Sequence, residues 1–202
     1  MGAGTVTAGL TVSVDGYYVG PDDGPGCGLG VGGERLHHWV FGGPWTYDSE
    51  RPTGEADAAD AAFLEESLAR AGAVICGRGT YEAAGAWGGN NPWDTPLFVV
   101  THRVEDQPDA DRGFVFVPDL HAALALAHEA AGGRAVNVMG GGGIISEALA
   151  AGVVDELVIS TAPLLLGRGK RLFEDLELDL DLEKLQVWDS PRATHVRYRV
   201  VR

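Results

Sequence analysis

The chain has 202 residues, 45% of them hydrophobic and 22% charged, with 15 basic and 29 acidic side chains and a formal net charge of −14. This length and composition are typical of one globular domain, which we expect to extend over residues 1–202. The sequence contains no apolar run of about 18 residues and no signal-like N-terminal segment. We therefore expect no membrane partner and a cytoplasmic location.

Charge and cysteine content argue against several kinds of partner. A strongly acidic surface repels phosphate backbones, so we expect no nucleic-acid partner. The two cysteines form no Cys-x-x-Cys pair and the histidines lack the spacing of a ligand set, so we expect no bound metal. Arg168, Lys170 and Arg171 alternate with or adjoin glycines, a pattern that suits either a clamp on an anionic substrate group or a solvated hairpin tip.

Short runs rich in Val, Ile and Phe alternate along the chain with helical patterns. The predicted strands cover residues 6–14, 73–76, 97–101, 114–117, 135–139, 156–161, 185–188 and 195–201. The predicted helices cover a short segment near 34–41, then 59–71 with Gly72 as its C-cap, 120–131 after Asp119, and 144–151. The irregular stretch 20–53, rich in glycine, is expected to form the lid or wall of a binding site.

This alternation predicts an α/β fold with a mainly parallel sheet flanked by helices. The last two predicted strands differ from the others because a turn-rich linker, residues 189–192, joins them. Val196, Tyr198 and Val200 alternate along the final strand. We therefore expect an antiparallel C-terminal hairpin at one edge of an otherwise mainly parallel, mixed sheet.

Four consecutive glycines, Gly140, Gly141, Gly142 and Gly143, join a predicted strand to the helix that begins at Ile144. Glycines allow backbone N–H groups to approach a ligand, and the helix N-terminus attracts a pyrophosphate. The alternative is a purely structural tight turn. The spacing matches neither the dinucleotide motif Gly-x-Gly-x-x-Gly nor the phosphate loop that ends in Gly-Lys-Ser/Thr.

Two more strand ends carry hydroxyl groups and cations. Gly77, Arg78 and Thr80 follow one predicted strand, and Thr101 and Arg103 end the next. Ligands of parallel sheets bind beyond the carboxyl ends of the strands, so these residues predict an anion site for a phosphorylated nucleotide. Arginines away from the pyrophosphate suit a 2′-phosphate, which favours NADPH over NADH.

These segments occur in an order that resembles the dihydrofolate reductase-like superfamily, most closely the reductase domain of riboflavin biosynthesis and its stand-alone relatives. The resemblance extends over residues 5–201. The segments that carry it are Ser13-Val14-Asp15-Gly16, Gly77-Arg78-Gly79-Thr80-Tyr81-Glu82, Thr101-His102-Arg103, Gly140-Gly141-Gly142-Gly143, Val154-Asp155-Glu156-Leu157 and residues 163–173.

The resemblance implies a single-domain dihydrofolate reductase-like fold, NADPH as hydride donor and a homodimer. It implies that Arg78 and Thr80 hold cofactor phosphates and that Thr101 and Arg103 lie near the 2′-phosphate. It also places Ser13 and Asp15 beside the nicotinamide. The residues that match the cofactor turns are Gly77, Gly140, Gly141, Gly142, Gly143 and Ile144.

The sequence departs from dihydrofolate reductases in one respect that bears on the substrate. Those enzymes use a carboxylate on the first long helix to protonate the pterin, and the segment 34–41 offers no clear counterpart. No zinc motif of a deaminase occurs in the chain either. Folate is therefore not the expected substrate.

Asp15 is the first candidate for orienting the substrate or relaying a proton, with Ser13 beside it, although Asp15-Gly16 also fits a plain turn. Trp45 is a candidate for stacking on a planar substrate, and its alternative is ordinary surface packing. The sequence thus predicts an NADPH-dependent reductase of a small heterocyclic or carbonyl/imine substrate, pyrimidine- or pterin-like. The alternative is a non-catalytic nucleotide-binding module that retains the NADPH crevice.

Overall fold

A computed structural model describes residues 4–49, 54–174 and 176–202; the end of the predicted lid or wall segment, residues 50–53, lies outside this range. The strands are β1 (Val6–Ser13), β2 (Tyr17–Val19), β3 (Ala71–Gly77), β4 (Leu97–Val100), β5 (Phe114–Val117), β6 (Ala135–Val138), β7 (Glu156–Ala162), β8 (Lys170–Arg171), β9 (Asp181–Asp189) and β10 (Thr194–Val201). The helices are α1 (Ala58–Arg70), α2 (Arg78–Ala83), α3 (Ala86–Gly89), α4 (Leu120–Ala131) and α5 (Gly142–Ala150).

Eight strands form one sheet in the order β5-β4-β3-β6-β1-β7-β10-β9. The first six strands in this order are parallel, and β10 pairs antiparallel with both β7 and β9. The predicted mixed, mainly parallel sheet with a C-terminal antiparallel hairpin is confirmed. A separate two-stranded ribbon joins β2 to β8.

Both faces of the sheet are covered, as parallel strands require. In β3, six consecutive residues are buried. One face packs against α4 and α5, whose Ala123, Ala127 and Ile145 are fully buried. The opposite face lies under α1 and the segment 33–41, where Phe63 and Trp39 form a smaller cluster.

The observed boundaries follow the predictions where local signals are strong. Asp119 caps α4 by accepting a hydrogen bond from the Ala122 N–H, and Gly132 ends it in the left-handed conformation. Gly72 was expected to end α1 but lies inside β3, because Ala71 already adopts extended geometry. The predicted helix near 34–41 is a 3-10 turn at Gly33–His37.

The very short strands β2 and β8 and the short helices α2 and α3 were not predicted as elements. Three- and two-residue strands carry too little periodicity to be recognised. Within the described residues, no helix is sufficiently long and apolar to span a membrane.

Candidate functional site

The carboxyl ends of β1, β3 and β6 meet at one edge of the sheet. From β1 the chain passes to β3 on one side, returns to fill the gap with β6, and then crosses to β7 on the other side. Such a reversal of strand order opens a crevice at the carboxyl edge, where α/β proteins bind ligands. The predicted residues at the ends of these strands therefore face a common region.

The glycine turn after β6 is bound to the end of β3. The Gly77 N–H donates to the Gly140 carbonyl oxygen at 2.9 Å, and the Gly140–Gly141 peptide bond is cis. Helix α5 begins at Gly142, and no described side chain caps its N-terminus. Its first N–H groups therefore have no partner within the helix and no described side-chain cap. A Cβ atom on Gly143 would meet no described atom within 4 Å, which leaves this side of the turn open.

Two side chains border the glycine turn. A Cβ atom on Gly141 would lie 3.3 Å from the Thr80 hydroxyl oxygen, so this hydroxyl stands beside the turn as predicted. A Cβ atom on Gly142 would lie 2.7 Å from the Tyr18 ring. Only glycine fits there, because Tyr18, on β2, packs directly on the first turn of α5.

The segment predicted as a clamp or hairpin tip supports the Tyr18 strand. Lys170 and Arg171 form β8, which pairs with β2. The Lys170 ammonium bonds Asp23 at 2.5 Å, and the Arg171 guanidinium lies 4.7 Å from the centre of the Tyr17 ring. These two cations thus hold the β2–β8 ribbon together.

The predicted phosphate arginines lie together in a four-residue ionic cluster. Arg78 contacts Glu82 at 2.8 Å and Asp106 at 3.1 Å, and Arg103 contacts the same carboxylates at 2.9 and 3.6 Å. Partial burial lowers the pKa of Arg78, but the bonds to Glu82 and Asp106 outweigh it and raise the pKa overall. The Arg78 Nη1 atom is buried and has no partner among the described residues. Thr101 accepts a hydrogen bond from the Arg103 N–H at 3.1 Å.

Asp15 connects the end of β1 to the loop after β7. Its carboxylate accepts hydrogen bonds from the Ser13 hydroxyl at 2.6 Å, the Gly167 N–H at 2.7 Å and the Leu166 N–H at 3.1 Å. The Ser13 bond is the main cause that lowers the pKa of Asp15 to about 2, with the two backbone bonds adding to it against partial burial. This environment favours the ionised form of Asp15, and its role in orienting the substrate or relaying a proton stays a prediction.

A cavity of about 550 Å³ lies between α1 and the sheet. Met139, directly before the glycine turn, lines one end, so the cavity reaches the carboxyl edge of the sheet. The half of the cavity nearer the amino ends of the parallel strands is lined by Arg70, Arg134 and Arg197. Its remaining lining side chains include Thr7, Thr11, Trp39, Phe63, Ser67, Trp93, Asn137 and Ser160.

Trp39, rather than Trp45, brings the predicted lid or wall segment to this cavity. The Trp39 indole N–H donates to the Thr11 hydroxyl oxygen at 3.1 Å, which fixes the ring over β1. Trp45 packs edge-on against Phe41 and Tyr47, with ring centroids 5.4 and 5.5 Å away, and is not among the described lining residues. A role for Trp45 in substrate stacking stays a prediction that this packing does not favour.

Ser160, His195 and Asp60 form a buried series of hydrogen bonds behind the cavity wall. The Ser160 hydroxyl is 2.6 Å from Nδ1 of His195, and Nε2 of His195 is 3.0 Å from Oδ1 of Asp60. His195 and Asp60 are 0% and 1% exposed, and the Phe63 ring stacks on His195 at 4.0 Å. Burial lowers the pKa of His195, while the bond to Asp60 opposes this effect.

The sequence analysis did not single out these three residues. His195 lies 35 residues from Ser160 and 135 residues from Asp60 along the polypeptide. The available signal is a lone acid, Asp60, on the same face of an alanine-rich helix as Phe63. In the described residues, no group of three or more His, Cys, Asp or Glu side chains is arranged to hold a metal ion.

Comparison with protein families gives a match over most of the chain. The family model for the RibD C-terminal domain matches residues 4–196. The chain belongs to the RibD C-terminal domain family. A search of curated proteins found no significant match.

Solved structures share the fold of this RibD C-terminal domain at low sequence identity. A putative riboflavin biosynthesis protein from Shewanella sp. PV-4 is 22% identical with a TM-score of 0.68, over 98% of this chain and 99% of that one. A pyrimidine reductase-like protein from Corynebacterium diphtheriae is 15% identical with a TM-score of 0.63, over 98% and 92%. Dihydrofolate reductase from Enterococcus faecalis, complexed with NADP(H) and RAB-propyl, is 16% identical with a TM-score of 0.62, over 99% and 98%.

In this RibD C-terminal domain, the first long helix is α1 and not the segment 34–41. Its buried carboxylate, Asp60, occupies the first turn of α1 and faces the sheet through His195. The first long helix thus carries a carboxylate, but Asp60 is buried, and the rings of Phe63 and Trp39 pack on its partner His195.

Proposed function

We propose that the chain is an NADPH-dependent reductase of a small planar heterocycle, pyrimidine- or pterin-like, with a reducible C=N or C=O group. The observation that carries this proposal is the junction at Met139 and Gly140, where an aromatic-walled cavity meets an uncapped, glycine-rich helix start. Membership in the RibD C-terminal domain family supports it. So do a fold neighbour described as pyrimidine reductase-like and another complexed with NADP(H).

The residues at the carboxyl edge fit the phosphate groups of NADPH. The pyrophosphate would be held by the glycine turn with Gly77, Thr80, Gly140, Gly141, Gly142, Gly143 and Ile144. Arg78 would hold a cofactor phosphate together with Thr80, and Thr101 and Arg103 would lie near the 2′-phosphate. NADPH supplies the hydride when bound.

The chain itself contributes positioning and exclusion of water. Trp39, Phe63 and Trp93 give the cavity large apolar walls that suit a flat ring. Ser13 and Asp15 hold the loop after β7 against the end of β1, which fixes one rim of the crevice. A reactant held in a preset orientation reacts faster because less entropy is lost at the reaction step.

A non-catalytic nucleotide-binding module is the second candidate. Glu82 and Asp106 already neutralise Arg78 and Arg103, and the Tyr18 ring covers Gly142. Both features would have to rearrange before a cofactor phosphate could make full contact. A protein that binds NADPH tightly without turnover would match this candidate.

We also propose that residues 1–202 act as a single domain and form a homodimer in the cytoplasm. Strand β9 is one of the two edge strands of the eight-stranded sheet, and it exposes Leu182, Leu185 and Val187 by 37–46%. Exposed apolar edge strands commonly pair with another chain. Light scattering after size exclusion would give a mass near twice 21.2 kDa for a homodimer.

The test is a side-by-side titration with NADPH and NADH, followed by absorbance assays of NADPH oxidation over a panel of pyrimidines, pterins and small imines. Substrate-dependent oxidation establishes the reductase. Tight NADPH binding with no turnover across the panel favours the module. No binding of either cofactor overturns both candidates.

A further inference from the structure

Three strands bring polar side chains to one level of the sheet beneath α1. Thr11 on β1 is the register partner of Ser160 on β7, and Ser160 is the register partner of His195 on β10. Thr11 and Ser160 both line the cavity. Met139, directly before the glycine turn, lines the same cavity.

The hydrogen bonds behind Ser160 determine the direction of its hydroxyl proton. Nε2 of His195 lies 3.0 Å from Oδ1 of Asp60. An ionised carboxylate can only accept, so we assign the ring proton to Nε2. Nδ1 of a neutral His195 is then an acceptor, and the Ser160 hydroxyl donates to it at 2.6 Å. The lone pairs of the Ser160 oxygen remain for the cavity.

Thr11 offers the cavity a hydrogen-bond donor, whereas Ser160 offers it an acceptor. Its oxygen accepts the hydrogen bond from the Trp39 indole N–H at 3.1 Å. Because indole only donates, the Thr11 hydroxyl proton is free to point elsewhere. Adjacent strands lie about 4.8 Å apart, so the two hydroxyls stand side by side. One offers a donor and the other an acceptor.

We propose that Thr11 and Ser160 together bind the amide-type edge of a planar ligand, in which a C=O or ring nitrogen acceptor adjoins an N–H donor. Asp60 and His195 are positioning residues that set the polarity of Ser160 without touching the ligand. This inference rests on the proposed function, because it assumes that the cavity holds the reducible heterocycle.

The arrangement gives a reason for burying a carboxylate that has few hydrogen-bond partners. Asp60 is 1% exposed, and its second oxygen, Oδ2, has no partner among the described residues. Burial of a charged group is costly unless the group is paired and hydrogen-bonded. Here the carboxylate holds His195 in one tautomer, as the aspartate of a Ser-His-Asp triad does for its histidine. The ring positions differ, since in this chain Nδ1 faces the serine.

The first experiment reads the tautomer directly, on the cofactor-free protein at neutral pH. Long-range ¹H–¹⁵N spectra are recorded, and the His195 ring is assigned by its contacts to the Phe63 ring stacked on it. We expect a neutral ring protonated at Nε2. A ring protonated at Nδ1, or at both nitrogens, would overturn the proposal, and no substitution is needed for this reading.

The second experiment uses 2-pyridone, which has one amide-type edge, and N-methyl-2-pyridone, which lacks the N–H donor. Binding is followed at the Trp39 indole N–H signal, assigned with Trp39→Phe. We expect 2-pyridone to bind about 3- to 10-fold more tightly than its methylated form. Equal binding, or no response of this signal to either probe, would count against the proposal.

Matched variants separate polarity from cavity shape. Ser160→Ala should abolish the preference for 2-pyridone, whereas Ser67→Ala, on the α1 side of the same cavity, should keep it. In Asp60→Asn the side-chain amide can donate to Nε2, which moves the proton to Nδ1 and turns the Ser160 hydroxyl toward the cavity. The preference should then shrink together with the change in the His195 spectrum. A preference that survives Ser160→Ala would refute the role of this hydroxyl.

These tests use no cofactor, so they are independent of the NADPH titration. A chain that fails to bind NADPH but discriminates the pyridones would lose its proposed function and keep this site. A chain that oxidises NADPH but shows no pyridone preference would keep its function and lose the inference.

Discussion

The two polar clusters of the molecule differ in burial and therefore in what they can do. In the ionic cluster of Arg78, Glu82, Arg103 and Asp106, the side chain of Arg103 is 57% exposed, whereas His195 behind the cavity is 0% exposed. Exposed ion pairs contribute little and can exchange partners, so a ligand phosphate can replace a carboxylate there. Buried hydrogen bonds hold their geometry and are costly to break. The comparison assigns adaptable binding of an anion to the arginine cluster and fixed ligand orientation to the buried hydrogen bonds behind the cavity.

The largest loss of stability should come from removing His195, the central residue of the buried hydrogen bonds. His195→Ala deletes a ring stacked on Phe63 and leaves Asp60 without its hydrogen-bond partner. We expect a loss of about 3–5 kcal/mol in the free energy of unfolding, measured by urea denaturation. The exposed His102→Ala should change it by less than about 0.5 kcal/mol. A similar small change for His195→Ala would mean that the hydrogen bonds between Ser160, His195 and Asp60 do not form.

A second prediction concerns acid pH. Burial, assisted by the neighbouring His38, lowers the pKa of His37 to about 4. A histidine with a lowered pKa protonates more readily when unfolded, so its contribution to stability is complete above the unfolded pKa, about 6.5, and decreases as the pH falls toward 4. The loss should reach about 3 kcal/mol, measured by urea denaturation between pH 7 and 4.

Substitution identifies the source of this pH dependence. His37→Gln should flatten much of the decrease, and His102→Gln should not. Asp15 contributes in a different range: its lowered pKa gives stability that is complete above the unfolded carboxyl pKa and is lost only as the pH falls toward 2. A decrease in stability that His37→Gln leaves unchanged would place the titration on other groups, including the buried His195.

The ionic cluster should yield smaller changes, in binding rather than folding. Arg78→Ala and Arg103→Ala should each weaken NADPH binding by about 1.5–3 kcal/mol if each makes a charged hydrogen bond to phosphate. The loss should be smaller for NADH if the contact is to the 2′-phosphate. Calorimetric titration of both cofactors measures this difference. Unchanged affinity in both variants would remove the proposed phosphate site.

The smallest effect should come from a competing carboxylate. Glu82 contacts both arginines, so Glu82→Gln should release them and strengthen NADPH binding by about 0.5–1 kcal/mol at low salt. The gain should diminish at high ionic strength because exposed charges are screened. Glu105→Gln changes a neighbouring exposed acid outside the cluster and is the control. Weaker binding in Glu82→Gln would indicate that Glu82 orients the arginines for the cofactor.

Local sequence signals predicted most of the fold, and they also singled out the candidate residues that follow the buried strands. Apolar runs, Asp119 and the glycine run determine their own strand, helix start and turn, because the interactions concerned lie within a few residues. Arg78 and Arg103 were found for the same reason, since each follows a buried strand. The carboxylates that neutralise them were not, because Asp106 reaches Arg78 only through the path of the loop after β4.

The cavity shows the limit of sequence analysis more sharply. Trp39 and Trp45 lie in one glycine-rich segment, and only the path of the backbone determines which of them reaches the sheet. Ser160 and His195 come into contact because β10 pairs antiparallel with β7 in one register. A shift of that register by one residue would turn His195 to the opposite face. No pattern within either strand carries this information.

Strand β7 lies between β1 and β10, the first and the last strand in chain order, and this placement has a consequence for biosynthesis. Thr11 lies on β1 and His195 on β10, and both are neighbours of Ser160. The polar wall of the cavity thus needs residues from the beginning and the end of the 202-residue chain. Every residue from Thr11 to His195 must be synthesised before this wall can close, so a ligand that requires it selects molecules in which β1, β7 and β10 are correctly paired.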